Sequence, residues 1–175
     1  MQAPDIRFEF EPQGGGSVTI RTIRAEDARI EQAFVQRLSP RSKRLRFMSA
    51  VRELTPAALD RFVNVHFPDE MALIATVLED GAEREIGVAR YAHSSGIGTA
   101  EFAVVVSDDW QGRGVGSELL RCLFDVASSA GLPGIHGLIL RENAGMLQLA
   151  RQLGFSIEPC AEDTGLYCVN KDFER

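Results

Sequence analysis

The sequence predicts an α/β (α+β) domain with a central sheet of about seven strands, flanked by four or five helices. Three observations support this. Strand-type runs alternate with helical-period segments in the order β α α β β β α β α β β. Glycine, proline, serine and aspartate mark the junctions between them. Near the middle, the apolar run Val104-Val105-Val106 turns at Ser107-Asp108-Asp109, crosses the glycine-rich loop Gln111-Gly112-Arg113-Gly114-Val115-Gly116-Ser117, and enters a helical pattern.

Residues 1–17 end in Gly14-Gly15-Gly16-Ser17 and are expected to form a flexible N-terminal arm; residues 18–175 are expected to form one domain. Residues 18–24 alternate as a first strand, and acids at Glu26 and Asp27 open a helix to about Leu38. Ser39-Pro40 and Thr55-Pro56 each pair an N-cap residue with proline at the first helical position. The first of these helices carries Arg41, Lys43, Arg44 and Arg46, read either as a solvated face or as a basic rim. Residues 71–78 are almost wholly apolar, as in a strand buried on both faces. A turn at Glu79-Asp80-Gly81-Ala82 returns the chain along residues 86–91, and Ser94-Ser95-Gly96 turns it into the strand of residues 99–106. On the following helix Val115, Leu119, Cys122 and Val126 form one stripe, and Gly131-Leu132-Pro133-Gly134 ends it. Residues 135–140 form the next strand, Asn143 caps a short helix to about Gln152, and residues 155–157 and 166–169 are the last strands.

Strand, glycine loop and helix together suit a phosphate ligand. Glycines let backbone N–H groups approach an anion, and the helix N-terminus adds unpaired donors and roughly half a positive charge. A P-loop would need Gly-Lys-Ser/Thr, which is missing here. A dinucleotide fingerprint would need Gly-x-Gly-x-x-Gly and an acid about 20 residues on. Here the spacing is Gly-x-Gly-x-Gly, and the chain at that distance is Ala130-Gly131-Leu132-Pro133, a helix end. A structural turn uses the same glycines and is the plain alternative.

With 175 residues, 45% hydrophobic and 25% charged, the chain is long enough for one full-sized core. It has no apolar run of the roughly 18–20 residues that a membrane span requires. No basic region followed by an apolar stretch marks a signal peptide, so a cytoplasmic protein is expected. Cys122, Cys160 and Cys168 lack Cys-x-x-Cys spacing and are expected to be reduced thiols; a Cys160–Cys168 bridge across a hairpin is the alternative. His66, His93 and His136 are scattered, so no metal is expected. A net charge of −6 argues against a nucleic-acid partner and suits a cationic amine or basic peptide.

The loop Gln111-Gly112-Arg113-Gly114-Val115-Gly116 resembles the Gln/Arg-x-x-Gly-x-Gly/Ala loop of GNAT acetyltransferases, and the segment from Asn143 to Gly154-Phe155 is similar to that family's later Asn…Gly-Phe motif. The close match covers about residues 99–157. The resemblance implies a mixed, strongly twisted sheet and acetyl-CoA as acyl donor. It implies that Gln111, Gly112, Arg113, Gly114, Val115, Gly116 and Ser117 wrap the pyrophosphate. It also implies that Val104 and Val106 pair through their backbone with the pantetheine arm, and that Asn143 bonds that arm as well as capping its helix. Leu38-Ser39-Pro40-Arg41-Ser42, Leu54-Thr55-Pro56 and Ala100-Glu101-Phe102-Ala103-Val104 are further similar to the acetyltransferase domain of bacterial Pat-type protein lysine acetyltransferases.

The implied reaction is acyl transfer from a thioester to an amine. A lysine amine has a pKa near 10.4, so supplying its neutral form at pH 7 costs roughly 4–5 kcal/mol. A positioned base is typically worth about 10²–10⁴-fold. Glu101 is the expected base, on the strand that enters the loop, with apolar burial expected around it; an ordinary exposed strand residue is the alternative. Asp108 and Asp109 are better explained by turn and cap duty, and Glu70 is a weaker candidate. A backbone N–H near Val104 is implied as donor to the developing oxyanion. Many family members place a tyrosine four residues before the Gly-Phe pair to protonate the departing thiolate; here that position is Ala150, and Tyr167 is a possible substitute. The leading expectation is an acetyl-CoA-dependent N-acetyltransferase acting on a protein lysine or a small amine, as monomer or homodimer. A non-catalytic CoA-binding module is the alternative. A nucleotide phosphotransferase is disfavoured by the missing Lys-Ser/Thr.

Overall fold

The computed structural model describes residues 2–93 and 98–173, so the turn expected at Ser94-Ser95-Gly96 lies outside them. Eight strands form one sheet in the order β1-β2-β3-β4-β5-β6-β8-β7. They are β1 (Arg7–Phe10), β2 (Val18–Thr22), β3 (Glu70–Glu79), β4 (Ala82–Ala92), β5 (Ala100–Val106), β6 (Gly134–Leu140), β7 (Ser156–Pro159) and β8 (Leu166–Asp172). Every neighbouring pair is antiparallel except β5–β6, which is parallel. Five α-helices pack around the sheet: α1 (Ala28–Arg37), α2 (Pro40–Phe47), α3 (Pro56–Val63), α4 (Val115–Ser129) and α5 (Ala144–Gln152).

The segment expected as an N-terminal arm carries the eighth strand. Residues Arg7 to Phe10 alternate polar and aromatic, and Phe8 and Phe10 pack on the main core while Arg7 and Glu9 face solvent. Burying two aromatic rings offsets the cost of ordering so short an edge strand.

The sheet has a core on each face. On one, Leu119, Leu120 and Leu123 of α4 pack against Ile20, Leu73 and Ile86. On the other, Phe34 and Val35 of α1 and Val63 of α3 pack against Ala72, Ile74 and Val88. Strand β3 is buried on both faces from Met71 to Thr76, as its apolar run predicts, but Leu78 at its far end is 77% exposed. The turn Asp80-Gly81 has positive φ at both residues (52° and 78°), the geometry of a two-residue hairpin that matches strand twist. Both cap-and-proline signals hold: Ser39 Oγ accepts from Ser42 N at 3.1 Å and Thr55 Oγ1 from Ala58 N at 3.2 Å.

Cys160 and Cys168 form a disulfide, with Cα atoms 5.2 Å apart, which corrects the expectation of reduced thiols at these two positions. The pairing of Glu158 with Cys168, and the bond from Cys160 N to Leu166 O at 3.2 Å, bring the two side chains together across the hairpin. Cys122 is free, and burial pushes its thiol up to about 11. Among the described residues, no helix is long and apolar enough to cross a membrane.

Candidate active site

Strands β5 and β6 touch over only two registered pairs, Ala100 with Ile135 and Glu101 with His136. Beyond them the strands part. Backbone groups alternate between the two edges of a strand, and Ser107 N bonds Ile86 O on the β4 side at 2.7 Å. The groups of Val105 therefore also turn to β4, and those of Val104 and Val106 turn to the opening. Val106 O accepts the Gln111 side-chain amide at 3.0 Å.

The opening leads to the glycine loop. Gly112 (φ 73°) and Gly114 (φ 90°) hold left-handed conformations that a side chain would strain. Gly114 is the N-cap of α4, and no side chain caps that helix. Its first N–H groups are thus left for an anion, within a groove of about 810 Å³ lined by Val104, Val106, the residues from Gln111 to Ser117, and Asn143. All ten residues expected to bind the cofactor border this one groove. The uncapped helix end, the glycine conformations and the unpaired strand edge fit a pyrophosphate with an extended amide-bearing arm.

Several of the residues weighed in the sequence have definite places in the fold, some of them expected. Arg113 Nε donates to Gln13 O (2.8 Å), Nη2 donates to Gly15 O (2.7 Å), and the guanidinium stacks on Trp110 at 4.0 Å. Its donors are engaged by the N-terminal segment, where a phosphate contact was expected. Asn143 Oδ1 caps α5 by accepting Met146 N at 3.1 Å. Ala150 is fully buried in the core and does not line the groove. Tyr167 lies under Arg141, 4.8 Å from its ring centroid, and is likewise absent from the groove wall. Asp108 does not cap the turn that it begins. Its carboxylate accepts Ser39 N, Ser39 Oγ and Ser42 Oγ at 2.7–3.0 Å and so anchors α2 to the loop.

Glu101 is exposed, which corrects the apolar burial expected around it. Its registered neighbours are exposed Ala92 and half-buried His136, and neither covers it. It shares a sheet face with Ala103 and Val105, the face packed by α1 and α3. Glu70 is paired with His66 at 3.3 Å.

Three parts of the wall escape sequence reading. Phe10, Pro12 and Gln13 cross the groove, and Gln13 N bonds Arg113 O at 3.0 Å. The alternation in residues 7–10 hints at the strand, but nothing local shows that the next residues reach the loop. Leu45 and Arg46 of α2 form a second wall, foreshadowed by the basic run. Met146 and Leu149 form a third, on the outward stripe of α5. An exposed Arg44–Glu142 ion pair at 2.8 Å links α2 to the segment before α5.

The profile described as Acetyltransferase (GNAT) domain matches residues 17–156. An acetyltransferase of Pseudomonas aeruginosa is 39% identical over 141 residues, covering 81% of this chain and 76% of that one. The GNAT domain of S. lividans PAT superposes with a TM-score of 0.86 at 26% identity, covering 95% of this chain and 97% of that one. The yncA protein of Salmonella typhimurium, solved with its cofactor acetyl-CoA, has a TM-score of 0.70 at 19% identity over 91% of this chain and 96% of that one, a likeness of fold.

Proposed function

The chain belongs to the GNAT acetyltransferase family, and from that premise we propose that it transfers acetyl from acetyl-CoA to a primary amine by direct attack, with Glu101 as general base. The observation that carries this is the two-pair contact of β5 with β6, which leaves the Val104 and Val106 edge facing a groove that ends at the uncapped start of α4. Acetyl-CoA supplies an acetyl thioester there. The N–H groups of the glycine loop and of the first turn of α4 hold its pyrophosphate. Val104 N–H, on the open edge, donates to the carbonyl oxygen as negative charge develops. Glu101, at the point where the strands part, takes the proton that the amine loses as its nitrogen bonds to the acetyl carbon. A water or the solvent returns a proton to the thiolate. Ala150 offers none, and a thiolate is a good leaving group.

The resemblance of the segment from Ala100 to Val104 to Pat-type protein lysine acetyltransferases makes a protein lysine one arm of the test, and a small amine is the other. Calorimetry with acetyl-CoA is followed by thiol release on amines and lysine peptides, comparing the parent chain with Glu101→Gln. Turnover should fall by about 10²–10⁴ in the variant while the acetyl-CoA affinity holds. A second reading, a CoA-binding module without catalysis, draws on the buried Ala150. It predicts tight binding, no turnover on any acceptor and no effect of Glu101→Gln.

A further inference from the structure

One guanidinium shares the sheet face that carries Glu101, and a second approaches from α2. Arg90 on β4 and Glu101 on β5 are diagonal neighbours, because Ala92 registers with Glu101 and Arg90 with Ala103. Such diagonals lie within reach of long side chains. Arg46 of α2 lines the groove beside Val104, Val105 and Val106, a groove that Arg90 and Glu101 do not border, and it is near enough to both for their charges to act on it.

Neither guanidinium has all its donors met by the chain. Arg90 Nη2 stands 3.6 Å from Glu31 Oε1 and 3.4 Å from Phe62 O, its plane lies 3.9 Å from the Phe62 ring centroid, and its Nε is buried with no acceptor. Arg46 stacks on Phe47 at 4.8 Å and makes no hydrogen bond or ion pair among the described residues. Burial, and then the Arg90 charge, push Arg46 down to about 10, against the opposing pull of Glu31 and Glu101. Two half-desolvated like charges with idle donors are costly to keep. An anion between them would offset that cost with charge-assisted hydrogen bonds.

We propose that Arg46 and Arg90 bind the carboxylate of the acceptor, and that the amine presented to Glu101 therefore belongs to a free amino acid; this rests on the acetyl-transfer reading above. A carboxylate suits the site better than a phosphate dianion. Glu31 acts on both arginines, Glu101 on Arg46, and Glu85 and Glu70 on Arg90, so the pair is already partly neutralised and a singly charged, planar acid meets less repulsion there than a dianion. The amine must lie within reach of Glu101 while the acid meets Arg90, its diagonal neighbour, so the two groups are close together in one small molecule. A lysine within a protein has its own carboxyl locked in a peptide bond and its amine at the end of a long chain.

The test uses the full chain with saturating acetyl-CoA. Thiol release is followed on the proteinogenic α-amino acids, on the α-carboxamide of each, and on lysine peptides. The acid of the preferred pair is expected to show a KM at least about tenfold below that of its amide, the scale of one hydrogen bond to a charged group. Arg46→Met should bring that ratio close to one, and Arg46→Lys, which keeps the charge but loses the planar fork, should restore part of it. The acid–amide ratio of the parent chain stands as a test even if Arg46→Met fails to fold. Equal turnover of acids and amides, or turnover confined to lysine peptides, overturns this inference and leaves the acetyl-transfer reading intact. Acetyl-CoA binding with no turnover on any acceptor overturns both.

Discussion

Asp108 grips Ser39 with both carboxylate oxygens: Oδ2 accepts the backbone N–H at 3.0 Å and Oδ1 accepts Oγ at 2.7 Å. Ser42 Oγ adds a third bond to Oδ1 at 2.8 Å. The start of α2 is thereby fixed to the turn that precedes the glycine loop, and the placement of Arg46 over the groove follows from it. Burial alone would raise the Asp108 carboxyl, but the Ser39 and Ser42 donors prevail and hold it below its usual 3.8. A depressed carboxyl contributes stability above its unfolded pKa, and that contribution is lost as pH falls through the folded value. Asp108→Ala should cost about 1–2 kcal/mol at pH 7 and much less near pH 3, read from denaturant midpoints at the two pH values.

The two left-handed glycines should respond differently to change. A Cβ at Gly114 meets nothing within 4 Å, so Gly114→Ala has only the φ of 90° to contend with, at about 1–2 kcal/mol of fold stability. Gly112→Glu adds bulk and negative charge beside the uncapped helix end. Calorimetry should detect no acetyl-CoA binding to it, and unchanged affinity would remove the loop from the site.

Glu85 of β4 is fully buried, and neither of its oxygens has a donor. It faces Glu31 of α1, and burial first, then the Glu31 charge, hold its carboxyl well above the usual 4.5; Arg90 opposes this and Asp27 adds to it. Carrying a proton, Glu85 becomes the donor that Glu31 Oε2 lacks. A carboxyl raised in the fold gives stability that is present below its unfolded pKa and is lost as pH climbs toward the folded value. Glu85→Gln keeps a donor and removes the titration. Thermal unfolding should show it more stable than the parent by on the order of 1–3 kcal/mol at pH 8, with the gap closing near pH 4. A parallel pair of curves would contradict this.

Arg113→Ala removes the bonds to Gln13 O and Gly15 O. Hydrogen exchange at Gln13 and Gly15 should quicken, while acetyl-CoA affinity drops by no more than about tenfold, or 1.4 kcal/mol, because the proposed binding mode assigns the holding to the loop backbone. A loss of several orders of magnitude, with a flatter salt dependence, would mean that the guanidinium leaves the N-terminal segment to meet a phosphate.

The fold was legible wherever local chemistry was repeated. Thr55-Pro56, the apolar run to Thr76 and the loop from Gln111 to Ser117 each state their structure in a few residues, and each is found as expected. The candidate groove was legible for the same reason: most of its expected lining lies on one continuous strand, loop and helix. What was hidden depends on distant pairing. Arg113 and Asp108 both read as loop residues, yet their partners lie 98 or more residues away at Gln13 and Gly15 for the first, and 66 or more away at Ser39 and Ser42 for the second. Glu31, Glu85 and Arg90 look like ordinary surface charges in the sequence, and only the packing of α1 on β4 brings the first two into the interior beside the third. The Cys160–Cys168 bridge depends likewise on hairpin register.

The wall built by Phe10, Pro12 and Gln13 stands ahead of residue 17, where the match to the family profile begins. The motif that defines the family and the segment that encloses its groove are therefore separate stretches of chain. Natural variation can exchange one and keep the other. If the groove holds the donor as proposed, relatives that share the glycine loop can still differ in how long they retain it, through the segment that supplies Phe10, Pro12 and Gln13. Their cofactor residence times should sort by that leading segment rather than by the loop.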